Sequence, residues 1–312
     1  MPELKKILVI RFSSFGDIVL SFPLLKKLKT VYPQTEIHFL TSQKYKDVVK
    51  LSPAVERIIL FNESLSQIRE AVLDNKYSLI IDLHKNLRSY YVTLFNQART
   101  VRYKKDNFKK FLLVKFKLNL FREVIPVYKK YLKSVKNVIE FNDYSFEADK
   151  LIFTKDKIID GDYTVISPSS RHFTKTYPTE KFIEFINEHP GKKFVLTGDD
   201  SEKDNSVCDY ISGKCSNVMN MCGKLNIIAL TNVLYNSDSV ICNDSAVLHL
   251  AEAAGKNVKA LFGCTVKEFG FFPQLEKSVV FENNNLKCRP CTHIGKDYCK
   301  RGDLKCMDLN II

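Results

Sequence analysis

Asp17 is the residue whose type and position most strongly suggest chemistry. It ends the segment FSSFGD (residues 12–17), which follows the apolar run ILVI at residues 7–10. That run has the pattern of a strand buried on both faces, and the leucines after residue 18 recur at helical spacing. A strand, a short loop and a helix together form the arrangement at which open parallel sheets bind ligands. A carboxylate at this junction could act as a general base, could cap the helix, or could do both.

A second polar cluster, Asn243, Asp244 and Ser245, also follows a strand pattern and precedes a helical one. These three residue types are the most favoured helix N-caps, which is one explanation of the cluster. A helix N-terminus also presents free amides and the positive end of a dipole, so the cluster is a candidate phosphate site as well. His249, one turn later, could reach the same anion, although a histidine on an apolar helix is more often a core residue.

Two other loops in the second half of the chain carry candidate ligand contacts. Ser169 and Ser170 follow a predicted strand, at the edge of a parallel sheet where ligands bind. Lys175 comes shortly afterwards and is either a solvated surface lysine or a phosphate contact. Glu202 ends the loop GDDSE (residues 198–202), and its carboxylate could hold ribose hydroxyls or cap the next helix.

An alternation of strand and helix patterns predicts the framework that holds these loops. In the first half the predicted strands are 6–10, 36–40, 57–61, 79–83 and a shorter one near 100–103, and the predicted helices are 18–31, 45–50 and 65–75. In the second half the predicted strands are 163–167, 193–197, 239–242 and 258–262, and the predicted helices are 179–188, 201–211, 227–236 and 246–254.

The alternation stops over residues 142–162 and then restarts, so we predict domains at residues 1–158 and 159–312. The predicted fold class is α/β, with two doubly wound, Rossmann-like domains that face a central cleft. Clefts at domain interfaces favour ligands, so the predicted site lies there.

The net charge of +13 and the isoelectric point of about 9.2 predict an anionic partner. Basic residues concentrate in residues 99–136, where Asp106 and Glu123 are the only acids. Phenylalanines and leucines are interleaved with them, as in helices that lie on anionic bilayers and in proteins that bind single-stranded nucleic acid. A solvated helix face is the simpler explanation of such a segment.

The sequence also indicates the cellular compartment in which the protein is expected. No stretch reaches the roughly 18 consecutive apolar residues of a spanning helix, and a strand begins almost at the N-terminus, which argues against a secretory signal. We therefore expect a cytoplasmic protein, in which the five scattered cysteines are reduced core or near-core residues.

The other four cysteines crowd the C-terminus in the spacing C-x2-C-x7-C-x6-C. The first pair has the spacing of a zinc knuckle, but the second half is looser than in a typical zinc site. A structural zinc, packed free thiols and a disulfide are the alternatives, of which a reducing cytoplasm disfavours the disulfide. The residues concerned are Cys288, Cys291, Cys299 and Cys306.

Taken in order along the chain, these stretches resemble glycosyltransferase family 9, the bacterial lipopolysaccharide heptosyltransferases. The resemblance rests on ILVIRFSSFGDIVLSFPLL, IIDLHKNLRS, the SPSS…KTYP run, LTGDDSE, and CGKLNIIALTNVLYNSDSVICNDSAVLHLAEAAG. It implies a GT-B fold whose N-terminal half takes the acceptor and whose C-terminal half takes the nucleotide sugar. It also implies an inverting transfer that requires no metal or other cofactor.

The resemblance further implies a role for individual residues. Asp17 matches the presumed catalytic base, and Lys175 matches the lysine on the donor diphosphate. The remaining matches are Ser169 and Ser170 on the phosphates, Glu202 near the ribose, Asp244, Ser245 and His249 at the sugar- and diphosphate-binding helix start, and Lys85 and Arg88 on the acceptor side. The chain departs from the family in having Ala246 where glycine is usual and Cys264 where proline is frequent, and neither change removes a reactive group.

The expected donor is ADP-heptose, and the expected acceptor is the anionic inner core of lipopolysaccharide at the cytoplasmic leaflet of the inner membrane. The expected enzyme is therefore cytoplasmic, touches that membrane peripherally and binds no nucleic acid. Two alternatives remain from the residues alone: a basic nucleic-acid-binding protein with a C-terminal zinc module, and an inactive family member that binds nucleotide sugar.

Overall fold

The computed structural model describes residues 4–61, 64–141, 143–146 and 150–310. It divides into two compact units. Unit 1 contains Met1–Lys105 and Val127–Ile152, and unit 2 contains Asp106–Pro126 and Phe153–Ile312. This division differs from the boundary predicted between residues 158 and 159, chiefly because residues 106–126 belong with the second half of the chain.

Unit 1 is built on a five-stranded parallel sheet in the order β3-β2-β1-β4-β5. The four residues 7–10 of the central strand are all completely buried. Since successive side chains of a strand point to opposite faces, both faces of this sheet are covered. The strands are β1 (Lys6–Ile10), β2 (Glu36–Thr41), β3 (Arg57–Leu60), β4 (Leu79–Asp82) and β5 (Arg99–Arg102). The helices are α1 (Phe15–Val19), α2 (Phe22–Val31), α3 (Lys46–Val49), α4 (Leu65–Asp74), α5 (Leu87–Val92) and α7 (Val127–Ser134).

The single helix predicted at residues 18–31 is two helices, α1 and α2, and the break lies at Leu20 and Ser21. Pro23 explains the break, because it has no amide hydrogen to donate to the preceding turn and is tolerated only in the first turn of a helix. The Ser21 hydroxyl donates to the carbonyl of Ile18 at 2.6 Å and closes the end of α1. The break leaves α1 as a short element that carries Asp17.

Unit 2 is built on a six-stranded parallel sheet in the order β11-β10-β9-β6-β7-β8. Its edge strands β8 and β11 were not predicted, because both are short and only partly buried. The strands are β6 (Thr164–Ser167), β7 (Phe194–Leu196), β8 (Val218–Asn220), β9 (Ser239–Asn243), β10 (Val258–Phe262) and β11 (Val279–Glu282). The helices are α6 (Asn107–Phe116), α8 (Thr179–Asn187), α9 (Glu202–Ser212), α10 (Ile227–Asn236) and α11 (Ala246–Ala253).

The strand order reverses once in each sheet. In unit 1 the reversal lies between β1 and β4, and in unit 2 it lies between β6 and β9. At such a point the neighbouring connections run in opposite directions, which opens a crevice at the carboxyl ends of the strands. The loops that follow these four strands contain most of the predicted site residues.

The basic segment of residues 99–136 is divided among several elements and between the two units. It contains β5, α6, an irregular stretch and α7, and only α6 with that stretch belongs to unit 2. Helix α7 buries Val127, Tyr128, Tyr131 and Leu132 in unit 1, whereas α6 buries only Leu113. Helix α7 is therefore the amphipathic helix with a buried apolar face, and α6 is the helix that leaves its aromatic side chains exposed. Within the described ranges, no helix combines the length and the apolarity needed to cross a bilayer.

Candidate active site

Asp17 is the third residue of α1, directly beyond the β1 loop at the reversal point of unit 1. The cap predicted at Asp17 is instead Ser14, and the Asp17 carboxylate reaches back to it. The Ser14 hydroxyl donates to Asp17 Oδ2 at 2.8 Å, and the Ser14 amide lies 3.5 Å from the same oxygen. This is a capping-box arrangement, which fixes the carboxylate at the start of the helix.

Arg11 is the main electrostatic partner of this carboxylate. Its Nη2 lies 2.5 Å from Asp17 Oδ2, and its Nη1 donates to the carbonyl of Leu83 at 2.6 Å. On the other side, the Tyr131 hydroxyl is 3.3 Å from Asp17 Oδ1. Burial raises the pKa of Asp17, but the Arg11 charge and the hydrogen bonds from Ser14 and Arg11 outweigh it, so the net pKa lies below its ordinary value.

His84 and Lys105 complete the polar surroundings of Asp17. Burial, reinforced by the charges of Arg11 and Lys105, lowers the pKa of His84 to about 4, so its imidazole is neutral near pH 7. The Lys105 ammonium donates to the carbonyl of Lys85 at 3.1 Å, and burial lowers its pKa. Sequence reasoning missed Arg11, His84, Lys105 and Tyr131. Arg11 directly follows β1 and His84 lies two residues after β4, so the adjacency of those strands could have indicated them.

The two predicted acceptor residues, Lys85 and Arg88, lie where β4 gives way to α5. The buried carboxylate of Asp82 shapes this loop by accepting from the amides of His84 at 3.0 Å and Lys85 at 2.7 Å. Lys85 has a left-handed backbone, with φ of 48°. The Arg88 guanidinium is exposed and lies 5.8 Å from the ring centroid of Phe61.

At the reversal point of unit 2, Asp244 connects two loops. Its Oδ2 lies 2.7 Å from Lys175 Nζ and accepts from the Thr265 hydroxyl at 2.6 Å. Asn243 joins a third loop, because its Nδ2 donates to the carbonyl of Pro168 at 2.8 Å. The cluster predicted from sequence therefore positions Lys175 and the loop after β6, in addition to starting α11.

Two buried serine hydroxyls lie in this region. Ser245 Oγ has no hydrogen-bond partner among the described residues, whereas Ser169 Oγ faces the Asp204 carboxylate. A buried hydroxyl is normally hydrogen-bonded, so the Ser245 hydroxyl indicates a polar ligand. Ser245 is the N-cap of α11, where a ligand would also meet free backbone amides. Ser170 is buried beside Ser169, and its carbonyl accepts from Lys203 Nζ at 2.6 Å, a contact that sequence reasoning missed.

Glu202 and His249 are less closely tied to this arrangement. Glu202 is the exposed first residue of α9, whose cap is the Ser201 side chain. The carboxylate that contacts the loop after β7 is instead that of Asp204, which accepts from the amide of Asp199 at 3.0 Å. His249 is buried in the second turn of α11, and its ring centroid lies 6.0 Å from that of Phe271.

The C-terminal cysteines line one cavity of about 410 Å³ within unit 2, together with Cys264 and several lysines. All nine cysteines are free thiols. Across the residues that the structure places, no group of three or more His, Cys, Asp or Glu side chains is arranged to hold a metal ion. The predicted structural zinc at Cys288, Cys291, Cys299 and Cys306 is therefore not supported.

The sequence of this chain is similar to those of known heptosyltransferases. The family model described as "Glycosyltransferase family 9 (heptosyltransferase)" matches residues 65–300. Lipopolysaccharide heptosyltransferase 1 of Campylobacter coli is 24% identical over 331 residues, which cover 94% of this chain and 94% of the relative.

Two solved structures from E. coli are similar in fold. Heptosyltransferase WaaC with ADP has a TM-score of 0.71 and 16% identity, covering 88% of this chain and 92% of WaaC. ADP-heptose lps heptosyltransferase II has a TM-score of 0.69 and 18% identity, covering 97% of both chains. The predicted fold, two parallel-sheet α/β domains of the GT-B type, is confirmed.

Proposed function

This chain belongs to glycosyltransferase family 9, the heptosyltransferases, and we propose that it transfers a heptose from ADP-heptose to the inner core of lipopolysaccharide. The observation that carries the proposal is the Asp17 carboxylate, which is kept ionised at the reversal point of unit 1. An inverting transfer needs such a group, because the acceptor hydroxyl must lose its proton as it attacks the anomeric carbon.

The donor side of the proposal rests on unit 2. A diphosphate would satisfy the hydroxyl of Ser245, which lacks a partner among the described residues, could accept from that of Ser169, and would meet the amides at the start of α11. Lys175 would turn its ammonium towards the same anion, guided by Asp244. Asp244 itself would act as a positioning residue, since a carboxylate repels a diphosphate. The WaaC structures with ADP and with ADP-2-deoxy-2-fluoro heptose support an adenine nucleotide sugar as the donor.

The proposed transfer needs the Asp17 carboxylate of unit 1 to meet the sugar whose diphosphate unit 2 holds. As the glycosidic bond forms, Asp17 takes the proton of the acceptor hydroxyl, and the bond from the anomeric carbon to the diphosphate breaks on the opposite face. Negative charge then grows on the leaving diphosphate. Lys175 and the amides at Ser245 and Ala246 would stabilise that charge, so the proposal requires no metal ion.

The acceptor side rests on the cations near Asp17. Lys85 and Arg88 follow β4, the strand next to β1, and would attract the phosphates and carboxylates of a lipopolysaccharide core. Glu202 and His249 remain proposed donor contacts, at the ribose and at the start of α11. We place the enzyme in the cytoplasm, in peripheral contact with the inner membrane.

Helix α6 is the surface that we propose for the membrane contact. Phe108 is 70% exposed and Phe116 is 63% exposed, and three lysines lie on the same helix. Exposed aromatic rings with cationic neighbours favour the interface of an anionic bilayer.

The double variant Phe108→Ser with Phe116→Ser should reduce binding to anionic vesicles in a sedimentation assay, and raised salt should weaken binding of the parent. Tyr210→Ser, at an exposed tyrosine on α9, is the control and should bind normally; equal loss in both variants would contradict the surface.

A screen of nucleotide sugars tests the function directly. Thermal stabilisation by ADP-heptose should exceed that by the UDP and GDP sugars, and the stabilising sugar should then be transferred to a truncated lipopolysaccharide core. Mass spectrometry of the product would show the added heptose, and proton NMR would show the inverted anomeric configuration. Stabilisation by a different nucleotide sugar, or transfer with retained configuration, would refute the proposal as stated.

A further inference from the structure

The C-terminal segment, residues 286–297, follows β11 and contacts both loops that hold Lys175. One is the loop after β6, in which Lys175 ends a short turn that begins at Phe173. The other is the loop after β10, in which Thr265 holds the carboxylate of Asp244. The C-terminal segment therefore joins the two parts of unit 2 that determine where the Lys175 side chain lies.

Thr174 is the first contact of the C-terminal segment. Its amide donates to the carbonyl of Lys296 at 3.0 Å and its hydroxyl to the same carbonyl at 3.1 Å, while the Lys296 amide donates to that hydroxyl at 2.9 Å. Beside this pairing, Gly295 has φ of 129°, and a Cβ there would lie 2.5 Å from the Cβ of His172. Glycine thus allows the two chains to pack closely, and three hydrogen bonds hold the residue directly before Lys175.

Arg289 is the second contact of the C-terminal segment. Its guanidinium is buried, and it donates from Nε to the carbonyl of Gly263 at 2.7 Å and from Nη2 to the carbonyl of Thr265 at 2.7 Å. The carboxylate of Glu282, 2.5 Å from Nη2, balances the charge. The arginine therefore fixes the backbone on both sides of the residue between Gly263 and Thr265.

This backbone leads directly to the lysine. The Thr265 hydroxyl donates to Asp244 Oδ2 at 2.6 Å, and the same oxygen lies 2.7 Å from the Lys175 ammonium. Arg289 is thus connected to the charged end of Lys175, whereas Thr174 is connected to its backbone. Two independent sets of contacts from one segment meet at a single side chain.

Stability alone does not explain a buried arginine at this place. Removing the Arg289 guanidinium and the Glu282 carboxylate from water costs free energy, and a well-packed apolar pair of similar volume would often hold a fold as well. The planar fork of an arginine supplies direction, because it fixes two carbonyl oxygens at set angles. Lysine carries its charge on a flexible four-carbon stem, so the position of Lys175 depends on its neighbours.

We propose that Thr174 and Arg289 are positioning residues, through which the C-terminal segment holds the Lys175 ammonium where the leaving diphosphate gains charge. This inference rests on the proposed function, because the diphosphate is that of the proposed donor. A charge that is in place before the bond breaks stabilises the transition state without reorganisation. A misplacement of about 1 Å can lower a rate by about 10²-fold, so the loss of either contact should slow transfer without abolishing it.

Thr174→Val tests the contact on the backbone side. It keeps the shape of the side chain but leaves the Lys296 amide without its acceptor, and kcat should fall by about tenfold. KM for the donor should change less than kcat, because the charge that Lys175 meets develops in the transition state. Thr174→Ser restores the hydroxyl and should recover most of the rate. Thr231→Val, which removes a similarly buried threonine hydroxyl from α10 of the same unit, is the matched control and should keep the rate of the parent.

Arg289→Lys tests the contact on the ammonium side. It keeps the charge beside Glu282 but loses the fork, so kcat should fall by about threefold to tenfold. The same substitutions are then made in Lys175→Met. If both residues act through the lysine, neither Thr174→Val nor Arg289→Lys slows that variant further. A further fall as large as in the parent would show that they maintain the fold and not the lysine, and would overturn the proposal.

Labelling of Lys175 tests the positioning without reference to activity. The full chain, without substrate, is treated briefly with formaldehyde and a borane reductant and digested, and methylation of Lys175 is followed by mass spectrometry. An ammonium held by Asp244 reacts slowly, so Thr174→Val and Arg289→Lys should be methylated faster than the parent, by up to about tenfold, and Thr231→Val at the rate of the parent. Equal rates in all four proteins would overturn the proposal, and if Arg289→Lys does not fold, Thr174→Val decides alone.

The two assays separate this proposal from the proposed function. Transfer by the parent that is equally fast in Thr174→Val, or equally slowed in Thr231→Val, refutes the positioning role and leaves the proposed function standing. A parent that binds and transfers no nucleotide-activated heptose refutes the proposed function, and the labelling rates then decide whether the C-terminal segment holds Lys175.

Discussion

Asp17 and Asp244 stand at comparable places in the two units, because each follows a strand at a reversal point and lies at the start of a helix. Each also pairs with one cation, Asp17 with Arg11 at 2.5 Å and Asp244 with Lys175 at 2.7 Å. The two acids differ in how their partner cation is held. Arg11 is anchored by its second nitrogen to the carbonyl of Leu83, whereas no second contact is described for the Lys175 ammonium.

The difference in partners separates the roles of the two acids. An arginine held in place keeps Asp17 ionised, and among the described residues the Asp17 Oδ1 has only the long contact to Tyr131. Asp244 Oδ2 is occupied by both Lys175 and Thr265, and the side chain is 6% exposed, against 16% for Asp17. The more accessible acid can receive a proton, and the enclosed one can orient a lysine. In the function that we propose, the same motif position thus serves catalysis in one unit and positioning in the other.

The largest effect should follow from Asp17→Asn, which removes the proton acceptor while keeping the shape of the side chain. We expect the transfer rate to fall by roughly 10²–10⁴-fold, the usual contribution of a general base. Thermal stabilisation by the nucleotide sugar should be unchanged, because that contact belongs to unit 2. A steady-state transfer assay measures the first effect, and a rate within a factor of two of the parent would remove the base assignment.

Lys175→Met and Asp244→Asn test whether the second acid acts through its lysine. Lys175→Met should lower both donor stabilisation and transfer, the latter by about 10²–10³-fold, because a charged group on the leaving diphosphate is lost. Asp244→Asn should cost about tenfold, since it replaces a charge-assisted contact with a neutral one. The double variant should be no worse than Lys175→Met alone, and strictly additive losses would show that Asp244 acts on the donor independently.

Much of the framework behind this comparison could be predicted from sequence. Interior strands of parallel sheets are rich in apolar residues, so β1 and β10 were predicted with their exact ends, and α10 likewise from its period. Edge strands are short and half polar, so β8 and β11 escaped detection. The motif positions of Asp17 and Asp244 were visible because each follows a strand and precedes a helix.

The partners of these acids were harder to predict, because they come from distant parts of the chain. Tyr131 lies 114 residues from Asp17, and its own segment suggests only an amphipathic basic helix. Thr265 lies 21 residues from Asp244, beyond a helix and a strand. Periodicity describes one element at a time, whereas pairing across a sheet depends on strand order. The electrostatic difference between the two acids was therefore not predictable from either motif.

Arg11→Met would sharpen the comparison by leaving Asp17 without its cation. Burial is then opposed mainly by the hydrogen bonds from Ser14, so the pKa of Asp17 should rise. Because the base must be ionised, the acidic limb of kcat/KM should move to higher pH. Arg11→Lys keeps a positive charge and is the matched control, with a smaller shift expected. A pH–rate profile measures both, and an unmoved limb in Arg11→Met would mean that Arg11 does not set the ionisation of Asp17.

The smallest effect concerns Glu252 on α11, the helix that begins at the second acid. Its carboxylate accepts from the amides of Gln274 at 2.7 Å and Leu275 at 2.8 Å and from the Ser278 hydroxyl at 2.9 Å, yet burial raises its pKa to about 7. As the pH rises from about 4.5 to 7, the unfolded chain loses this proton and the folded protein keeps it, so the free energy of unfolding should fall, by a few kcal/mol at most. Glu252→Gln cannot titrate, so urea unfolding should show a smaller decrease between pH 5 and pH 8 than in the parent. Equal decreases in the two proteins would mean that this carboxylate is already ionised in the fold, held by its three donors as Asp17 is by Arg11.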